Sequence, residues 1–193
     1  MKGLKRLVPV LLVGLAFLIP GVAHADEVNI YAPFNNYDEL KEAYMEAVED
    51  GDLDKQEWLL EIGRSSLDAM IEKGESDLAA QPSLLADPDE TYWKSQFPKL
   101  FSGGSWIVRN GVTSLSLSPY MIVSHGTEAD ATRGWNAAFV VFWRDPQWNN
   151  TNCMRGQFFC HYRNAKLKPQ WNLEPGKTSI NPYTCNWSVG RAR

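Results

Sequence analysis

Apolar residues first fall into helical rhythm after residue 36. Leu40, Ala43, Tyr44, Ala47 and Val48 recur at three- and four-residue steps, and Trp58, Leu59, Ile62, Ala69, Met70 and Ile71 resume the stripe after a break. This spacing predicts two amphipathic helices. Asn36 with Glu39, and Asp54 with Glu57, have the form of N-caps answered by a carboxylate three residues on. Gly51 is predicted to stop the first helix and Gly74 the second. The pair forms a helical hairpin that buries one narrow face and so needs something to pack on. Residues 26–36 read as an extended leader and residues 81–89 as a loop, with Pro88 opening a short helix that reaches Phe97.

The texture changes near Phe101. Ser102, Gly103, Gly104 and Ser105 read as a hinge-like break, and the boundary between two units is placed there. Residues 106–109 and 112–118 flank Asn110-Gly111, the dipeptide that most readily supplies the two positive φ angles of a type I′ turn, so a β-hairpin is predicted. Leu115 and Leu117 alternate with Ser114, Ser116 and Ser118, the pattern of a half-buried strand. Residues 126–134 read as a loop. The run 137–143 (AAFVVFW) reads as a central strand, because it is β-branched, aromatic and apolar throughout. Met154, Phe158, Cys160, His161 and Ala165 fall near helical spacing, with a strand as the alternative. Residues 171–174 are extended, Pro175-Gly176 is a turn and residues 184–189 form a last short strand. The fold class is α+β: an acidic helical hairpin, then a small antiparallel sheet with one packed helix.

The first 25 residues stand apart. Lys2, Lys5 and Arg6 precede an apolar stretch over residues 7–19, and Ala23-His24-Ala25 is a small-x-small site. These are the parts of a secretory signal peptide cleaved near Ala25, and the apolar stretch is too short to span a bilayer. No later apolar run approaches membrane length, so no transmembrane segment is expected. The organisation is then a signal peptide over 1–25, an acidic helical region over 26–100 and a basic, Trp-rich α+β domain over 101–193. Secretion as an extracellular protein follows.

Charge sharpens that division. Residues 26–100 hold 19 acidic and 6 basic side chains, a balance of −13, whereas residues 101–193 hold 4 acidic and 10 basic, a balance of +6. Two units of opposite sign either attract each other or face different partners.

The segment 153–186 holds all three cysteines and His161. Together with GVTSLSLSP (111–119) and Trp135, the run MRGQFFCHYRNAKLKPQWNLEP (154–175) and Cys185-Asn186 resemble an exported bacterial family of unknown function, domain of unknown function 2599, over roughly residues 106–187. The motif positions are Met154, Gln157, Phe158, Cys160, His161, Trp171, Asn172, Leu173, Glu174, Pro175, Cys185 and Asn186. Three features depart from the pattern: Trp187 replaces a final proline, Gly176-Lys177 replaces a bulkier residue and Arg-Pro, and Cys153 is extra. The resemblance implies secretion from Gram-positive bacteria and actinobacteria, with no assigned activity. It also implies a Cys160–Cys185 disulfide closing a loop of 25 residues, which leaves Cys153 as a free thiol. Cys153–Cys185 stays open as the second pairing. Cys153–Cys160 is disfavoured in a helix, where seven residues span about 10 Å.

The candidate chemistry is modest. His161 with Glu174 is the one acid–base pair the motif offers, and it defines the catalytic alternative: a secreted hydrolase or toxin-like effector. Against it stands a histidine that merely hydrogen-bonds within the loop. No HxxxH or CxxC spacing marks a metal site, and no P-loop, dinucleotide fingerprint or nucleophile elbow is present, so no metal and no cofactor are expected. The broader signal is aromatic and cationic. Trp148 and Trp187, with Arg155, Trp171 and Asn172 around the motif, are the candidate binding residues. Such a face suits an anionic cell-wall polymer or a glycan. A nucleic-acid partner is not expected, because no binding motif is present and the chain is net acidic. The leading expectation is a secreted, non-enzymatic binding module.

Overall fold

The computed structural model describes residues 28–80 and 89–185. Helices α1 (Tyr37–Glu49), α2 (Leu53–Ala79) and α3 (Glu90–Leu100) lead into strands β1 (Phe101–Arg109) and β2 (Val112–Pro119). Helices α4 (Met121–Ser124), α5 (Glu128–Phe142) and α6 (Thr151–Asn164) follow, and then strand β3 (Trp171–Leu173). The sheet is antiparallel with order β1-β2-β3. The α+β class holds, with more helix than the sequence pattern predicted.

The hairpin α1–α2 forms where the periodicity places it. Asn36 caps α1 by accepting from the Glu39 amide at 3.0 Å. The Glu39 carboxylate returns a contact one residue further out, to the Asn35 amide at 3.1 Å. Gly51, at φ +70°, ends α1. Two details differ. Asp52, not Asp54, caps α2, accepting from Lys55 N at 2.9 Å. Gly74 does not end α2, which runs on to Ala79. A Cβ at Gly74 would lie 2.7 Å from Glu128 O of α5, so this position marks a close helix crossing. The leader is not extended either: residues 30–33 form turns.

Asn110 (φ 51°) and Gly111 (φ 78°) make the predicted tight turn, and Arg109 pairs with Val112. The expected hinge at Ser102–Ser105 is absent, because β1 starts at Phe101 and Gly103, Gly104 and Ser105 pair with Ser118, Leu117 and Ser116, with a register irregularity at Ser102. On one sheet face lie Gly104, Trp106, Leu115, Leu117, Trp171 and Leu173, joined by register. Ser114 and Ser116 on the other face are buried as well, as befits a central strand.

The largest correction concerns residues 126–143. The expected loop and central strand are one helix, α5, started by a full capping box in which Thr127 and Asp130 satisfy each other's amides. Where α5 packs against α2, α3, α4 and α6, Ala137 and Ala138 of the run AAFVVFW are buried and residues 139–142 are half-buried, while Trp143 reaches the surface. A helix surrounded by other elements loses its polar face and imitates a buried strand. The helix at 151–164 is confirmed over its strand alternative. Residues 181–185 form a turn closed by an Asn181–Cys185 bridge, and the rest of the expected last strand lies outside the described residues. One apolar core runs from Leu67, Met70, Ile71 and Leu78 of α2 to Trp171 and Leu173, so the acidic helices and the sheet share an interior.

Candidate functional site

The Trp171–Pro175 segment runs alongside α6, fastened at three levels. Trp171 Nε1 donates to Ala165 O at 3.1 Å. His161 Nε2 lies 3.2 Å from Asn172 O. The Gln157 side chain grips the main chain of Glu174 from both sides, accepting from its amide at 2.6 Å and donating to its carbonyl at 3.0 Å. Gln157 is fully buried. A buried amide with both its ends used on one residue's main chain fixes register as well as position. The sequence signal for it was a glutamine on the buried stripe, beside Met154, Phe158 and His161.

His161 is only 6% exposed and stacks on Trp171, with ring centroids 6.1 Å apart. Burial pushes its pKa down to about 4, against a smaller opposing contribution from the Asn172 carbonyl. The ring is therefore neutral at pH 7. Because Nε2 faces a carbonyl oxygen, that nitrogen carries the proton. Nδ1 then presents a lone pair with no hydrogen-bond partner in a buried position. The His161–Glu174 pair does not form: the Glu174 carboxylate lies 3.5 Å from Lys177 Nζ. His125 pairs through Nδ1 with Ser124 Oγ at 2.8 Å. Among the described residues no group of three or more His, Cys, Asp or Glu side chains is placed to hold a metal ion.

The candidate binding residues scatter. Arg155 reaches across to Glu75 of α2 in an ion pair, at the edge of an acidic groove that also holds Asp68 and Glu72. Trp171 is fully buried. Asn172 pairs through its backbone with Ser116 of β2. Trp148 is half-buried among Trp106, Trp135 and Phe139, its Nε1 donating to Thr151 Oγ1 at 2.9 Å. Trp187 lies outside the described residues. Cys160 and Cys185 form the disulfide, with Cα atoms 5.5 Å apart, and Cys153 is a partly buried free thiol.

Pattern reading passed over two places. Trp143 at the end of α5 is 41% exposed. It borders a groove of about 350 Å3 lined by Glu90, Trp93, Asn136, Phe139 and Val140. Arg144 lies over its ring at 4.9 Å and pairs with Glu90 at 2.9 Å. That site went unseen because α5 was read as a strand. The second place is Arg163, whose guanidinium is largely buried beside neutral groups: Ser66 Oγ at 3.1 Å, Pro182 O at 3.0 Å and the Tyr37 ring at 4.2 Å. Desolvation lowers its pKa.

No curated protein and no solved structure matches the chain. A family model does: residues 102–186 match the family described as protein of unknown function (DUF2599).

Proposed function

We propose that this is an exported, non-enzymatic binding module for an anionic cell-wall polymer or glycan. Export is supported by the signal-like pattern of the first 25 residues and by a disulfide, a bond that persists in oxidising compartments. Among the described residues no helix is long and apolar enough to cross a membrane. The observation that carries the binding reading is the groove between α3 and α5. It combines the exposed indole of Trp143 with Asn136, Glu90 and Arg144, an aromatic surface rimmed by planar hydrogen-bonding groups. The net positive charge of residues 101–193 favours an anionic ligand. The hydrolase or effector alternative draws no support from the geometry, since His161 is enclosed and Glu174 is engaged by Lys177. The test is retention of the protein on purified cell wall at low and high salt. Retention at low salt, reduced in the Trp143→Ala and Arg144→Ala variants, is the expected result. A protein that passes unretained at low salt ends this reading.

A further inference from the structure

We infer that the Cys160–Cys185 disulfide is a redox latch that holds helix α1 docked onto the rest of the fold. The hairpin does not complete its own core. Its buried cluster consists of Leu40, Tyr44 and Ala47 of α1, Leu59 of α2 and one residue from far along the chain, Tyr183. Tyr183 is 2% exposed and stacks on Tyr44 with centroids 4.4 Å apart, and its hydroxyl donates to Leu59 O. The neighbouring residues add to the grip. Asn181 Nδ2 donates to the Tyr44 hydroxyl at 2.7 Å, and Pro182 O accepts from Arg163 at 3.0 Å and Asn164 at 3.1 Å. Tyr37 of α1 donates to Asn164 Oδ1 at 2.5 Å.

Gly63 is the window through which the turn enters. A Cβ there would lie 2.6 Å from the Tyr183 hydroxyl and 2.8 Å from Pro182 Cγ. Every one of these α1 anchors belongs either to α6 just beyond Cys160 or to the turn that ends at Cys185. The disulfide joins those two groups, and the turn is otherwise reached from β3 through residues 174–180.

Closing the latch takes the two thiols of Cys160 and Cys185 to one disulfide. The two protons and two electrons pass to a disulfide oxidant, which leaves as two thiols; a dithiol reverses the step. In a reducing compartment the turn is free and α1 is undocked. In an oxidising one Tyr183 is held in the hairpin and α1 closes. The biological setting of the latch, though not its mechanics, rests on the export reading above.

Hydrogen exchange followed by mass spectrometry on the full chain tests it. The oxidised protein is compared with the dithiol-reduced protein and with a Cys160→Ser/Cys185→Ser variant carrying Cys153→Ser to prevent re-pairing. Opening the latch is expected to speed exchange in α1 by about tenfold or more while β1, β2 and α5 change by less than about threefold. Oxidised Tyr183→Ala is expected to reproduce the α1 effect with the bond intact. Unchanged α1 protection on reduction overturns the inference. So does a uniform loss across α1, α5 and the sheet, which is the signature of a mere staple. Retained α1 protection in oxidised Tyr183→Ala overturns it too. A protein that stays in the cytoplasm removes the export reading and leaves the exchange result standing.

Discussion

The molecule contains two interiors of different character, and α2 takes part in both. Its second half joins a large interior with the sheet, α5 and α6, built on Phe158, Phe159, Trp171, Leu115 and Leu117. Its first half joins a small one with α1, whose one buried member from outside the hairpin is Tyr183, with Tyr31 and Phe34 packed at its edge. The large interior is bound by backbone pairing, packing and side-chain grips on β3. The small one hangs on one aromatic ring delivered by a disulfide-closed loop. The charge division does not follow that line, since α2 and α3 of the acidic region contribute to the large interior and Tyr183 of the basic half to the small one. Ion pairs such as Arg155–Glu75 and Arg144–Glu90 cross between the acidic helices and the basic half. Exposed pairs of this sort contribute about 1 kcal/mol or less. What couples the two regions is apolar and covalent, so damage to the large interior should bring both down, whereas damage to the small one should stay local.

The largest effect is expected from Trp171→Ala, which strikes the large interior. The side chain has no exposure, meets Phe158 edge-on at 5.2 Å and carries the hydrogen bond to Ala165 O. Emptying such a site costs roughly 3–5 kcal/mol. Because α2 shares that interior, urea unfolding followed by far-UV circular dichroism should show one cooperative transition at lower urea for both regions. A separate, unshifted transition from the hairpin would break the picture of a shared core.

Opening the disulfide is the next largest. A closed loop of 25 residues contributes about 3–4 kcal/mol on the chain-entropy estimate. In contrast to Trp171→Ala, the loss should concentrate in α1 and the Asn181–Cys185 turn. A thermal melt of the Cys160→Ser/Cys185→Ser variant that falls in one step, with no earlier local change, would erase the distinction between the two interiors.

The same contrast governs what the sequence made legible. Features set by neighbours in the chain were readable: the Asn36 cap, the Gly51 stop, the Asn110-Gly111 turn and the two acidic helices. Features set by distant partners were not. The run AAFVVFW carries no polar face because its first residues are buried and the next four half-buried against neighbouring elements, so local pattern could not tell helix from strand. Thr127 with Asp130 was the available clue, a capping box that opens ten residues before the run. The disulfide came from family resemblance, not from spacing. Tyr183 had no signal at all, since nothing in a periodic stripe on α1 tells which remote ring completes it. The His161–Glu174 pair failed for a geometric reason. Gln157 spends itself on the Glu174 main chain, leaving the Glu174 carboxylate near Lys177 and the imidazole against Asn172 O.

Acid should reach the large interior through His161. Its folded pKa, about 4, lies below the ordinary value of 6.5. Between these values the unfolded chain binds the proton and the folded chain does not, so stability is full above pH 6.5 and is lost as pH falls toward 4. Two and a half units correspond to about 3 kcal/mol across that window. His161→Gln keeps a donor for Asn172 O and cannot titrate. Chemical denaturation at stepped pH should show a steep acid loss in the native protein and a shallower one in the variant. Parallel curves would mean that the imidazole is not the acid-sensitive group.

The smallest effect probes the small interior at one contact. Tyr183→Phe keeps the ring on Tyr44 and removes only the hydroxyl bonded to Leu59 O. That carbonyl lies within α2 and keeps a helical partner, so the loss should be about 1 kcal/mol, near the net value of one hydrogen bond. Gly63→Ala makes the reading more specific. In an unencumbered helix interior that substitution gains about 1 kcal/mol. Here the added methyl meets the Tyr183 hydroxyl at 2.6 Å, its Cζ at 2.7 Å and Pro182 Cγ at 2.8 Å, so it should destabilise instead. Removing the hydroxyl relieves the first contact and leaves the other two. Gly63→Ala should therefore cost less in the Tyr183→Phe background than alone, a non-additivity read from urea midpoints of the four proteins in a double-mutant cycle. Strict additivity would mean that Tyr183 does not sit against Gly63, and the small interior would then lack the ring on which it depends.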